Sequence, residues 1–186
     1  GSGLYCGEQD MFVFLIDPTG WTEIEGEAFC PGFFLWNSEC GKRTVGIQTF
    51  WFQAVCQNHI VWDATDVTEF SRKHTARVHD SLDPIRQHVE QLAKKRDERR
   101  DGFVDVVRKA MKEKLGKDDE EVLNFLTKRG FNQSLAKEAL KIGQQNGKFT
   151  IFSIVDALTR LASQNPNAGD RTELDTKASK ALSLVK

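Results

Sequence analysis

The chain has little of what marks several functional classes. Only four prolines, two methionines and one tyrosine occur in 186 residues. No apolar run approaches the roughly 18 residues of a membrane-spanning helix, so no membrane partner is expected. There is no Gly-rich phosphate loop, no Gly-x-Ser-x-Gly elbow and no His-Glu-x2-His helix, so catalysis has no motif to rest on. The cysteines, Cys6, Cys30, Cys40 and Cys56, are widely spaced in a chain long enough to bury a core without staples. They read as reduced thiols in a cytoplasmic protein. Gly1-Ser2-Gly3 has neither an initiator Met nor a signal pattern, and residues 1–3 read as a cloning remnant with the natural N-terminus missing.

Net charge is also nearly absent, at −1, but it is unevenly spread. Residues 1–66 hold two Lys/Arg against nine Asp/Glu, residues 67–115 hold thirteen against nine, and residues 116–186 hold eleven against nine. An acidic head on a basic body can favour a polyanion at the body, whereas solvated helix faces explain the same charges without a ligand.

What is abundant is aromatic surface. Phe33–Trp62 carries three of the four tryptophans and two of the four cysteines, and must be buried or bind something. Met11–Ile16 and Trp21–Ile24, joined by Asp17-Pro18-Thr19-Gly20, read as a β-hairpin. Pro31-Gly32 reads as punctuation before a strand at Phe33–Trp36, and Arg43–Gln48 and His59–Trp62 as further strands. Phe50–Cys56 is ambiguous, with Phe52, Val55 and Cys56 at helical spacing, and is expected as a short helix.

From Val67 onward the period turns helical. Val78, Leu82, Ile85, Val89 and Leu92 make a coiled-coil-like stripe that would serve as a packing face or as the seam of a homo-oligomer. Asp83 before Pro84 reads as its cap, and the stripe resumes after Gly102 at Phe103, Val106, Val107 and Ala110. The charged run Lys94–Asp101 reads as an exposed helix face. Asp118 with Glu121, Asn132, Thr150, and Asp170 with Glu173 open four more helices. The expected class is α+β: an N-terminal antiparallel sheet packed by a long helix over residues 4–115, then a helical region over residues 116–186 packed on the same domain.

The run Asn37-Ser38-Glu39-x-Gly41, then Val55-Cys56-Gln57-Asn58, then Arg72-x-His74, resembles the phage- and plasmid-borne proteins of domain of unknown function 932. Asn146-Gly147-x-Phe149 and Asp156-Ala157-Leu158-Thr159-Arg160 are similar to that family's later segment, with Asp156 standing where Asn is usual. Trp51-Phe52-Gln53-Ala54 is less basic than the family version. The likeness spans roughly residues 30 to 185 and implies a fold and a mobile-element origin, with no catalytic residues to carry over. A local likeness of residues 119–162 to ubiquitin-associated three-helix modules rests on Gly130-Phe131-x4-Ala136-x2-Ala139-Leu140. It makes Gly130 and Phe131 candidate partner-binding residues, although the third helix comes later than in those modules.

Among individual sites, Cys30, Cys40, Cys56 and His59 offer only one closely spaced pair, too few for a convincing tetrahedral zinc; no metal or cofactor is expected, and buried thiols are the plainer account. Asn37, Asn58 and Cys56 read as structural. The best electrostatic candidate is the basic edge of Arg72, Lys73, His74 and Arg77, with Lys42 and Arg43 across a turn. Those side chains suit phosphate contacts while exposed aromatics stack bases. Strands followed by a long basic helix are also the layout of single-strand annealing proteins, an analogy of architecture only. The expectation is therefore single-stranded nucleic-acid binding without catalysis. The alternatives are a protein partner at the C-terminal helices and a metal-dependent enzyme.

Overall fold

A computed structural model describes residues 4–6, 10–38, 45–54, 57–62, 68–70, 82–145 and 149–185. Among the described residues, seven strands form one antiparallel sheet: β1 (Leu4–Cys6), β2 (Asp10–Ile16), β3 (Thr22–Ile24), β4 (Glu27–Ser38), β5 (Val45–Gln53), β6 (Asn58–Ile60) and β7 (Thr68–Phe70). The spatial order is β1-β2-β4-β5-β6, with β3 also on β4 and β7 also on β5. Six helices follow: α1 (Leu82–Lys94), α2 (Arg96–Ala110), α3 (Asp119–Lys128), α4 (Gln133–Gln145), α5 (Ile151–Ser163) and α6 (Ala168–Ser179). A 3-10 turn over Lys180–Leu184 comes after α6. The protein is α+β, with its sheet first and its helices after.

The sheet departs from the expected hairpin. The Asp17–Gly20 turn forms, with Thr19 N and Oγ1 donating to Asp17 Oδ1 at 2.9 and 2.7 Å. It does not pair the strands on either side of it, however. β3 pairs with the start of β4 through Glu25 and Gly26, both at positive φ (50° and 86°), whereas β2 pairs with the rest of β4. β2 and β3 thus share one edge of β4, and the Asp17–Gly20 turn bridges the gap between them.

Pro31 sits at that gap. β4 runs unbroken through Pro31-Gly32, contrary to the expected punctuation. The Pro31 carbonyl accepts Asp17 N at 2.9 Å, and in an antiparallel strand a residue's N and O point the same way. Its missing N–H therefore faces the place where β4 changes partner, and no ladder bond is lost. Gly32 and Gly46 answer close approaches. A Cβ on Gly46 would stand inside the Trp36 indole, its register partner on β4.

Residues Phe50–Gln53 are strand, not the expected helix. Both faces of β5 are covered, so consecutive residues are apolar and the alternation that identifies a strand is lost. Phe50 joins Phe12, Phe14, Phe34, Trp36 and Val61 on one face, where Ala168 of α6 packs. Trp51 joins Phe29 and Ile60 on the other, against Phe103 and Val107 of α2 and Phe152 and Val155 of α5. The C-terminal helices thus share a core with the sheet. A second core lies among α3, α4 and α5, around Val122, Leu126, Ala139, Ile154 and Leu158.

The long helix breaks at Lys95 (φ −89°, ψ 8°) and runs straight through Gly102. α1 begins at Leu82, two residues before the expected first helical position, so Asp83 and Pro84 lie in its first turn. Asp118, Asn132 and Thr150 cap as read, accepting Glu121 N, Leu135 N and Ser153 N at 2.8, 2.7 and 3.1 Å. α6 starts earlier than expected, capped by Asn167, whose Oδ1 accepts Asp170 N at 3.0 Å.

Candidate functional site

A groove of about 360 Å³ lies between the sheet and the α1–α2 helices. Leu15, Ile16 and Phe33 line its sheet side and Val89, Leu92 and Ala93 its helix side. Leu15 and Ile16 are 45% and 37% exposed, as are Met11 on the same strand and Leu4 on β1, at 42% and 52%. Its charged lining is three cations, Lys94, Arg96 and Arg99, against two carboxylates, Asp17 and Asp97.

Those cations come from the charged run that reads in sequence as an exposed face. That reading holds for only part of it. Arg99 is half-buried and donates through Nη2 to Oγ1 of buried Thr49 on β5. Arg96 reaches the Asp17 turn, with Nη1 3.0 Å from Asp17 Oδ2 and 3.2 Å from Thr19 Oγ1. Arg100 meets Asp97 and Asp101 at 3.2 and 3.1 Å, and Lys109 meets Asp105 at 3.2 Å. Lys94 and Lys95 have no acidic partner among the described residues. The overlooked signal is spacing: Leu92, Arg96, Arg99, Phe103 and Val107 recur at four and three, one stripe that turns to the sheet.

The six residues of the expected basic edge, Lys42, Arg43, Arg72, Lys73, His74 and Arg77, lie outside the described residues, as does Cys56. The aromatics expected to stack bases are mostly core. Phe50, Trp51, Phe34 and Phe12 are at most 2% exposed, leaving Phe33 as the aromatic that lines the groove while only partly buried. Asn37 is half-buried on β4 opposite Met11. Gly130 ends α3 with φ 80°, as a C-terminal glycine should. Phe131 is 6% exposed, and Lys177 of α6 covers the loop, its Nζ 4.7 Å from the Phe131 ring centre and donating to Gly130 O at 2.6 Å. The Lys177 side chain of α6 thus reaches over the loop on which the ubiquitin-associated likeness rests.

Asn58 is structural in a specific way. Fully buried, it donates through Nδ2 to Asp156 Oδ1 at 3.1 Å, joining β6 to α5. Arg160 Nε meets the other Asp156 oxygen at 3.0 Å, and Gln53 Nε2 donates to Glu27 Oε2 at 3.0 Å beside it. Burial pushes the Asp156 carboxyl above its ordinary range, against the pull of Arg160. Glu25, Glu27, Lys112, Asp156 and Arg160 border a polar cleft of about 510 Å³.

His59 is a core residue. It stacks on Phe14 at 4.1 Å between ring centres, edge-on to Phe50 at 4.9 Å. Burial, with Arg171 nearby, holds its pKa down to about 3, so the ring is neutral. Asp175 of α6 lies 3.9 Å from Nδ1, beyond hydrogen-bond reach, and burial raises its carboxyl well above the usual range despite Arg171. Cys30 donates to Asp17 O at 2.6 Å, and burial lifts its thiol to about 11, an inert structural group. No cluster of three or more metal-capable His, Cys, Asp or Glu occurs among the described residues.

No protein-family model, no curated protein and no solved structure matches the chain. No helix among the described residues is long and apolar enough to cross a membrane.

Proposed function

We propose that the chain binds single-stranded nucleic acid along the groove between the sheet and α1–α2, without catalysis. The observation that carries this reading is the pairing of an exposed apolar floor with Lys94, Arg96 and Arg99 along one wall. An unpaired strand has bases to lay on apolar surface and phosphates to meet cations, whereas a duplex keeps its bases sealed. The described aromatics make a poor stacking platform, so phosphate contacts and aliphatic packing around Phe33 carry most of the affinity. Lys42, Arg43, Arg72, Lys73, His74 and Arg77 stay candidate phosphate contacts from the sequence in this proposal.

The resemblance to domain of unknown function 932 adds a mobile-element setting to the proposal, and the cysteine usage a cytoplasmic one. One structural link runs between the stretches that carry the resemblance, the Asn58–Asp156 bond. The alternative, a protein partner at Gly130 and Phe131, loses ground to the burial of Phe131.

Reversing Lys94, Arg96 and Arg99 to Glu together tests the site. Binding of a labelled single strand should be lost while the circular-dichroism spectrum is kept. Unchanged affinity in that folded variant would place the site elsewhere.

A further inference from the structure

We infer that Asp17 is an internal competitor for phosphate: its carboxylate occupies the place on Arg96 that a nucleic-acid phosphate takes on binding. This rests on the binding reading above and assigns that site a built-in restraint. Asp17 and Arg96 both line the groove and face each other across it, one from the turn after β2 and the other from the first residue of α2. Their side chains remain 35% and 45% exposed, so an incoming anion can reach the pair and exchange with it.

The two oxygens of Asp17 have separate duties. Oδ1 accepts Thr19 N and Oγ1 and so organises the turn, while Oδ2 serves Arg96. The turn therefore does not depend on Arg96. The remaining groups facing the Arg96 guanidinium are Thr19 Oγ1 at 3.2 Å and Asp97 Oδ1 at 3.8 Å from Nε, both weaker contacts. Arg96 meets Asp17 through Nη1 alone, and a guanidinium can grip a phosphate with two donors. Exchange replaces one anion by another and leaves Asp17 repelling the strand, which lowers affinity and favours dense phosphate over isolated anions.

The test is a double-mutant cycle on the full chain, Asp17→Asn, Arg96→Gln and both together. It is read by anisotropy of a labelled single-stranded oligonucleotide at low salt, with melting temperature as the folding control. Asn keeps the Oδ1 acceptor for Thr19, and Asp17→Ser serves as a second variant if Asn unfolds the turn. Asp17→Asn should bind about two- to fivefold tighter, the size of effect an exposed ion pair exerts. Arg96→Gln should bind more weakly, and on that background Asp17→Asn should bring a smaller gain, from lost repulsion alone. A folded Asp17→Asn that binds no tighter, or an equal gain without Arg96, overturns the inference while the binding reading stands. If the unaltered chain does not bind at all, the binding reading fails first.

Discussion

Trp51 and Phe103 stack with ring centres 4.2 Å apart and planes within 2° of parallel. One comes from the central strand β5 and the other from α2, so this contact fixes the helix against the sheet and sets the back wall of the groove. Phe29 meets the same Phe103 edge-on at 5.4 Å. Phe103→Ala removes the shared partner of both and should cost about 3–5 kcal/mol, the usual range for emptying a large buried aromatic site. Urea unfolding checks this. A loss below about 1 kcal/mol would mean that α2 is not held where it is described.

His59 gives stability a pH dependence of known sign. Its folded pKa is near 3 against an ordinary 6.5, so the unfolded chain takes up a proton that the folded chain refuses. The His59 contribution is complete above pH 6.5 and is lost as pH falls towards 3, with a slope of up to about 1.4 kcal/mol per pH unit. Asp175, whose folded pKa is raised, works in the opposite sense: it favours the folded state below its ordinary 3.8 and loses that contribution as pH rises through its folded pKa. The difference between wild type and His59→Gln isolates the histidine. The variant should start less stable at pH 7, and the gap should narrow between pH 6.5 and 4. A constant gap across that window would show that His59 is not held neutral.

The start of α6 separates two residues that look alike in sequence. Asn167→Ala removes the acceptor for Asp170 N and should cost about 1 kcal/mol. Asp170→Ala removes only an exposed charge from the first turn and should cost under about 0.5 kcal/mol. The reverse order in thermal melts would restore Asp170 as the cap.

Much of the fold was legible where local chemistry decides it. Asp118, Asn132, Thr150 and Gly130 announce helix ends because each does its work within a few residues of itself. The failures came where a distant partner decides. Phe50–Gln53 carries no alternation because α2 and α6 cover both sides of β5. Pro31 reads as a break only until β4 is seen to exchange β3 for β2 there. Of the candidate site, the run Lys94–Asp101 reads in sequence as an exposed face, and nothing local marks Arg99 within it. Its contact with Thr49, fifty positions away, sets it apart from its exposed neighbour Lys95. Asp156 was noticed in sequence as a departure from the resembled family. Its bond to Asn58 could not be read, since β6 and α5 are 98 residues apart at that contact.

The most direct measurement is the salt dependence of binding, by fluorescence anisotropy, for a labelled single-stranded oligonucleotide and the matching duplex. The account predicts binding that prefers the single strand and weakens steeply with salt, the slope growing by roughly 0.7 for each phosphate engaged. Neutralising Lys94, Arg96 and Arg99 to Gln, a milder change than reversal, should flatten that slope by about two. No binding at low salt, or binding indifferent to salt, would contradict the account and leave the groove to an apolar partner.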